Sequence, residues 1–260
     1  MCQYHTTQTR QIQGAVDFTA KTGYTVSITY REARVTKTLY ISDLDGTLLN
    51  GNAELSDTAA QALNRMIAGG LYFSVATART LASASKILAG LTLRLPAVLM
   101  NGVLIYESLQ KKYLRVHTLA PETVKTVIAA LKSAGAAALM YELKDGEQMT
   151  YYETLTPQAL HNFVEARKAK YYKAFTQTDF SAHPPHGIIY FTLIDRYDAL
   201  KPVYEAVQAL PGTSVIFYKD SYSEDLWLLE IHSDQASKKN GVKALREAYG
   251  FDRVVGFGDN

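Results

Sequence analysis

Two aspartates lie two positions apart, directly after a short apolar run, in the segment Asp43-Leu44-Asp45-Gly46-Thr47-Leu48. Two carboxylates just past the end of a strand can turn towards one cavity, where one attacks an electrophile such as phosphorus and the other transfers protons. Asp and Gly are also common in simple turns, but a turn requires neither the second Asp nor a position at the end of a strand. The segment therefore predicts a catalytic pair, Asp43 and Asp45.

Further polar residues follow later apolar runs or open a helical pattern. Thr77-Ala78-Arg79 comes directly after the next apolar run, and Lys238 stands where a helical pattern begins. Alone, such a Thr would usually be a helix cap and such a Lys a solvated surface residue. In open α/β sheets, however, ligands bind beyond the carboxyl ends of the strands, so the segment Thr77-Ala78-Arg79 is a candidate for the same site as the two aspartates.

The elements that must position these residues alternate from Thr38 onward. Apolar runs at 39–42, 71–76 and 97–100 are separated by helical patterns, the first of which Ser56 can cap. This order predicts an α/β fold with a doubly wound, Rossmann-like parallel sheet.

A different pattern follows Asn101-Gly102. A hairpin and then an αββ-like order of strands and helices predict an inserted α/β domain over 119–226, with helices on one side of an open sheet. We read the apolar strand from Leu226 as the return to the first domain, which then consists of 38–118 and 227–260. Residues 1–37 fit neither domain and are predicted to be an N-terminal extension outside the working protein.

Composition narrows the class of partner. The chain has 260 residues, 47% of them hydrophobic, a formal charge of +2 and one cysteine. It has no long run of like charges and no stretch of roughly 18 apolar residues, so we expect a small-molecule partner rather than nucleic acid or a membrane. A lone cysteine suits the reducing cytoplasm, and we expect a monomer or a weak homodimer.

Taken together, these segments resemble the motifs of the haloacid dehalogenase superfamily, in particular its Cof-type sugar-phosphatase branch. The resemblance implies that Asp43 is the nucleophile that forms an aspartyl-phosphate and that Asp45 is the general acid and base. It also implies that the segment Thr77-Ala78-Arg79 and Lys238 bind the transferring phosphoryl group.

The resemblance also implies a cofactor and a role for the insert. Asp43, the backbone carbonyl of Asp45 and Asp259 would hold Mg²⁺, which prefers oxygen ligands. The insert corresponds to a large α/β cap that closes over the site and selects the leaving group. Its tyrosines could line a ring pocket, although core packing explains them equally well: Tyr151, Tyr152, Tyr171, Tyr172 and Tyr222.

The function predicted in this way is Mg²⁺-dependent hydrolysis of a small phosphomonoester, such as a sugar phosphate. Two alternatives stay open. A phosphomutase on the same scaffold would pass the phosphoryl group to a sugar hydroxyl instead of water. The closing Gly258-Asp259-Asn260 matches only the start of the family's G-D-x-x-N-D motif, so we expect a C-terminally truncated copy, which could be a catalytically weak phosphate-binding fragment.

Overall fold

The computed structural model describes the backbone of residues 13–19 and 25–31 and, in full, residues 36–220 and 223–258. The chain divides into two compact units, residues 1–37 and 38–260. In the first unit, β1 (Gln13–Thr19) and β2 (Thr25–Arg31) pair antiparallel. The sequence analysis did not predict this hairpin, because no sustained hydrophobic period marks the segment.

The second unit alternates strands and helices. In chain order these are β3 (Thr38–Ser42), α1 (Asp57–Ala68), β4 (Tyr72–Val75), α2 (Leu81–Ile87), β5 (Ala97–Leu99), β6 (Leu104–Glu107), β7 (Lys112–Val116), α3 (Pro121–Ala134), β8 (Leu139–Lys144), β9 (Glu147–Tyr152), α4 (Gln158–Tyr171), β10 (Thr176–Gln177), β11 (Ile188–Arg196), α5 (Tyr197–Val207), β12 (Thr213–Lys219), β13 (Leu226–Ser233), α6 (Lys238–Tyr249) and β14 (Arg253–Phe257). Among the described residues, no helix is long and apolar enough to cross a membrane.

A parallel sheet forms the base of this unit. Its strands follow the order β14-β3-β4, and a parallel bridge between Ala76 and Val98 continues it to β5. Leu39 and Val98 are fully buried in the cluster on which α6 packs Leu245. The predicted α/β, Rossmann-like fold is therefore confirmed, and the carboxyl ends of β3, β4, β5 and β14 meet at one edge of the sheet.

Helices α1 and α6 begin where the sequence provides caps. Ser56 accepts a hydrogen bond from the Ala59 N–H at 3.2 Å, and Ser237 accepts one from the Asn240 N–H at 2.9 Å. Such caps satisfy N–H groups that the first turn of a helix leaves unpaired. The Ser237 cap fixes the first residue of α6, Lys238.

The insert forms a second, six-stranded sheet, with the strand order β10-β9-β8-β11-β13-β12. Strand β13 pairs antiparallel with β11 and β12. The expectation that this strand begins the return to the first domain is therefore wrong. An apolar run signals burial in a sheet, but it does not specify which sheet, and here the return follows Ser233.

The two faces of this sheet are covered differently. Helices α3 and α5 pack on one face, where Val124 and Val203 join Phe191 and Leu229 in one buried cluster. Helix α4 packs against the opposite face, because its buried residues cluster with Leu139, Tyr141 and Ile194. The expectation of helices on one side of the sheet is thus corrected. The face bearing α4 is called the cavity face below, and it includes Tyr141, Tyr190, Thr192, Leu228 and Glu230.

Candidate active site

Asp43 follows β3 and is paired with a lysine from the far end of the chain. Its N–H donates to the Phe257 carbonyl at 2.9 Å, which joins the ends of β3 and β14. One carboxylate oxygen, Oδ1, accepts from the Leu44 N–H at 2.7 Å, while Lys238 Nζ donates to Oδ2. Both side chains are partly buried. The structure therefore brings together two predicted site residues that are 195 positions apart in the chain.

Asp45 forms a two-armed ion pair with Arg79. Arg79 Nε lies 2.7 Å from Asp45 Oδ2, and Nη2 lies 2.5 Å from Oδ1. The other guanidinium nitrogen, Nη1, contacts Ser83 Oγ at 3.0 Å and the Tyr171 hydroxyl at 3.1 Å, so α4 meets the first sheet's domain here. Burial acts to lower the pKa of Arg79, but the hydrogen bonds and charge of Asp45 outweigh it and raise that pKa.

The segment that follows β4 packs against the end of β5. Thr77 is fully buried, its N–H donates to the Val98 carbonyl at 2.9 Å, and its Oγ1 accepts from the Arg79 N–H at 3.1 Å. Ala78 is exposed and lines the same cavity as Asp43. Of the predicted phosphate-binding segment, Ala78 and Arg79 therefore line the cavity, whereas Thr77 is buried beneath it and does not.

A strained loop joins β5 to β6 and fixes the start of α6. Met100, Asn101 and Gly102 all have positive φ, at 48°, 54° and 91°. A Cβ on Gly102 would lie 2.1 Å from the Ser237 carbonyl oxygen, so only glycine allows this approach. Non-glycine residues rarely adopt such angles, and strain of this kind is often found at functional sites.

A buried network that was not predicted from the sequence reaches the cap. Asn101 Nδ2 donates to the Tyr190 hydroxyl at 3.0 Å and to Glu230 Oε2 at 3.3 Å. Burial raises the pKa of Glu230 to about 7, although hydrogen bonds from Tyr190 and Asn101 and the charge of Lys238 oppose the rise. The sequence feature that could have indicated this network is the carboxylate of Glu230 inside the otherwise apolar strand from Leu226 to Ile231.

A cavity of about 840 Å³ lies between the end of the parallel sheet and the cavity face. Its base holds Asp43, Asp45 and Lys238, and its other walls include Arg167 and Lys173 from the insert. Of the five tyrosines named from the sequence, Tyr171 lines this cavity, and Tyr222 lies outside the described residues. Three other tyrosines, which belong to strands of the sheet, also line the cavity: Tyr141, Tyr190 and Tyr218.

The oxygen donors near Asp43 suit a magnesium ion. The described residues contain no group of three metal-binding side chains, and the predicted ligand Asp259 lies outside them. Asp43 offers carboxylate oxygens beside the end of β14, the strand that precedes Asp259. Because Mg²⁺ keeps several waters and needs few protein oxygens, this donor set fits it.

A family model described as haloacid dehalogenase-like hydrolase matches residues 40–260. The chain belongs to this family of hydrolases. The resemblance inferred from its motifs is therefore confirmed.

A curated phosphatase resembles part of the chain. The 5-amino-6-(5-phospho-D-ribitylamino)uracil phosphatase YitU of Bacillus subtilis (strain 168) is 27% identical over 112 residues, which are 43% of this chain and 42% of that protein. The chain spans less than half the length of the curated relatives it matches.

Solved structures show that the fold is shared. A haloacid dehalogenase-like hydrolase from Bacteroides thetaiotaomicron is 19% identical, with a TM-score of 0.69, over 85% of this chain and 80% of that one. The subclass IIB sugar phosphatase BT4131 is 16% identical, with a TM-score of 0.60, over 85% of this chain and 80% of that one.

Proposed function

We propose that this haloacid dehalogenase-like hydrolase is a Mg²⁺-dependent phosphatase, which hydrolyses small phosphomonoesters through an aspartyl-phosphate on Asp43. The ion pair of Asp43 with Lys238 at the base of the cavity carries the proposal. The ammonium group of Lys238 balances the charge of the carboxylate and fixes its position at the base of the cavity, so that Asp43 is held ready to attack phosphorus.

In the first step, a carboxylate oxygen of Asp43 attacks phosphorus, and the bond from phosphorus to the substrate oxygen breaks. Asp45 gives its proton to that oxygen, so the product leaves as an alcohol. Lys238 stabilises the negative charge that spreads over the phosphoryl oxygens. In the second step Asp45 takes a proton from water, the water oxygen attacks phosphorus, and the Asp43 carboxylate is regenerated.

Arg79 must change partners for this sequence to run. While both oxygens of Asp45 accept hydrogen bonds from the Arg79 guanidinium, neither is free to carry a proton to the leaving group. An incoming phosphoryl dianion is an alternative partner for Arg79, in line with the predicted role of Thr77, Ala78 and Arg79 in phosphate binding. Substrate binding would then release Asp45, and the freed carboxylate would take up a proton from solvent before it protonates the leaving group.

Asp43, the Asp45 carbonyl and Asp259 would hold the magnesium ion. Bound there, it would neutralise negative charge on the phosphoryl oxygens as a Lewis acid. Asp43 would serve both as a metal ligand and as the nucleophile. Lys238 donates a hydrogen bond to its Oδ2.

The inserted domain serves as the cap in this proposal. We propose that the cap spans residues 119–226 together with the rest of β13, that the catalytic domain consists of 38–118 and the residues after Ser233, and that residues 1–37 lie outside both. The cavity volume suits a sugar phosphate or a metabolite of similar size. The Tyr171 hydroxyl of the cap contacts the Arg79 guanidinium, which also pairs with Asp45. Movement of the cap would therefore affect the Arg79–Asp45 ion pair.

Phosphate release from p-nitrophenyl phosphate, measured over a range of MgCl₂ concentrations, tests this function. We expect turnover that saturates with Mg²⁺ and disappears when EDTA removes the metal. The exposed Lys239 provides a control, since Lys239→Met should leave this turnover unchanged. Absence of phosphate release from the folded protein with any divalent cation would refute the proposal.

A further inference from the structure

Two cations of the cap face the substrate cavity without a carboxylate partner. Arg167 lies on α4 and Lys173 follows its end, and both line the cavity that contains Asp43. Neither forms an ion pair with another described residue; their contacts are with aromatic rings. Arg167 Cζ lies 3.1 Å from the ring centre of Phe163, and Lys173 Nζ lies 4.5 Å from that of Tyr141 and 5.2 Å from that of Phe175.

Aromatic faces do not neutralise these charges. Burial, with a contribution from the charge of Arg167, lowers the pKa of Lys173 to about 7. Burial likewise lowers the pKa of Arg167. Both side chains are partly buried, and cations that are partly removed from water are normally paired, because the loss of hydration is costly. Two basic side chains that line one cavity without an ion-pair partner among the described residues therefore indicate that their anion comes from outside the chain.

The carboxylates of the cavity do not supply that anion. The charge of Asp45 acts on Arg167, but both Asp45 oxygens are engaged by Arg79. Glu230 lies on β13, two strands away from the β8 residue Tyr141 over which Lys173 is held. At about 4.8 Å between neighbouring strands, that separation is roughly 10 Å. Asp220, which follows β12, is one strand further away.

We propose that Arg167 and Lys173 bind a second anionic group, carried by the leaving group of the substrate. This inference rests on the proposed phosphatase function and specifies its substrate class: a phosphomonoester with a carboxylate or a second phosphate remote from the reacting phosphorus. The reacting phosphoryl group binds at Asp43 and Lys238, and the second anion binds at the cap. A phosphomonoester with an uncharged leaving group leaves the cap cations without a partner.

Three acyclic phosphates that differ at one carbon distinguish these chemistries. Glucitol 6-phosphate has a hydroxyl at C1, 6-phosphogluconate has a carboxylate there, and glucitol 1,6-bisphosphate has a second phosphate. We expect kcat/KM for at least one of the two doubly anionic compounds to exceed that for glucitol 6-phosphate about tenfold or more. The compound with the greater advantage identifies the anion as carboxylate or phosphate.

Variants attribute the preference to the two cations. Arg167→Met and Lys173→Met should each remove most of the advantage of the doubly anionic compound, while turnover of p-nitrophenyl phosphate changes less than threefold. Lys168→Met is the matched control on α4, because Lys168 pairs with Glu165 at 2.8 Å and does not line the cavity. The inference would be overturned if the variants lost kcat/KM equally on glucitol 6-phosphate and on the compounds with two anionic groups. A wild-type preference for glucitol 6-phosphate would also overturn it.

A binding measurement separates this inference from the catalytic proposal. Calorimetric titration of the Asp43→Asn variant with 6-phosphogluconate, glucitol 1,6-bisphosphate and glucitol 6-phosphate requires no turnover. We expect a Kd at least about tenfold lower for a doubly anionic compound, and loss of that difference when Lys173→Met is added. An equal Kd for all three compounds refutes the second anion site, whereas a preference without any catalysis refutes only the phosphatase mechanism.

Discussion

Charged side chains at the end of the parallel sheet are paired with one another, whereas those of the cap that line the same cavity mostly are not. Asp43 pairs with Lys238, and Asp45 pairs with Arg79. On the cap side, Arg167 and Lys173 contact aromatic rings, and the hydrogen bonds of the buried Glu230 come from uncharged groups.

The difference separates two tasks within one cavity. The Asp43–Lys238 pair holds its geometry before any substrate arrives, which is what a catalytic group needs. Uncompensated charges are costly until a ligand balances them, so they contribute to the choice of ligand. Substitutions in the first region should therefore affect turnover of every substrate, and substitutions in the second should affect substrates unequally.

The largest effect is expected from removing the nucleophile. Asp43→Asn should lower kcat by roughly 10³-fold or more with every substrate, because an amide cannot form the acyl phosphate. Asp57→Asn, at an exposed position in α1, should leave kcat unchanged. Steady-state phosphate release measures both variants. Retention of more than a few per cent of activity in Asp43→Asn would disprove the nucleophile assignment.

Removing the partner of Asp43 should have the next largest effect. Lys238→Met is expected to lower kcat by about 10²- to 10³-fold, the usual loss for one group that stabilises transition-state charge. Its neighbour Lys239 is exposed, so Lys239→Met should stay within twofold of the wild type. Comparable losses of kcat in the two variants would contradict a catalytic role for the ion pair of Lys238 with Asp43.

The loop that positions Lys238 can be tested by stability. Gly102→Ala combines a positive φ with overlap against the Ser237 carbonyl, so we expect a loss of about 2–5 kcal/mol in the free energy of unfolding. Gly135→Ala has the positive φ but no neighbour within 4 Å, so it should cost only about 1 kcal/mol. Urea denaturation measures both, and equal losses would contradict a packing role for Gly102.

The smallest effect concerns the buried carboxylate of the cap and depends on pH. Because the folded-state pKa of Glu230 is raised to about 7, its protonated form stabilises the fold at low pH, and this contribution is lost as the pH rises through 7. Gln cannot ionise, so Glu230→Gln should gain stability relative to the wild type between pH 5.5 and 8, by at most about 3 kcal/mol. Other titrating groups near it, including Lys238, Tyr190 and Tyr218, are common to both proteins.

Urea denaturation of the two proteins at several pH values measures that difference. A stability difference that stays constant from pH 5.5 to 8 would show that Glu230 does not titrate in this range. The hydrogen bonds from Asn101 would then hold it ionised throughout.

The sequence predicted the first region better than the second, for physical reasons. The run before Asp43, the helical pattern that contains Lys238 and the strand before Thr77 are local patterns, and topology then brings them to one sheet edge. The sheet to which β13 belongs is a long-range choice that its apolar run does not encode. Arg167 and Lys173 have the sequence surroundings of ordinary surface cations, since Glu-Ala-Arg-Lys-Ala-Lys is typical of an exposed helix. Only the fold places them in the cavity.

The central claim, that Asp43 carries the phosphoryl group, is tested most directly by trapping the intermediate. The Asp45→Asn variant is mixed with Mg²⁺ and ³²P-labelled p-nitrophenyl phosphate, quenched in acid within milliseconds, digested and mapped by mass spectrometry. Nitrophenolate leaves without a proton, so the first step should proceed while the second is slowed. We predict label on the peptide that contains Asp43, and none when Asp43→Asn is added. Label on another residue, or phosphate release by the doubly substituted protein at the rate of Asp45→Asn, would contradict the account.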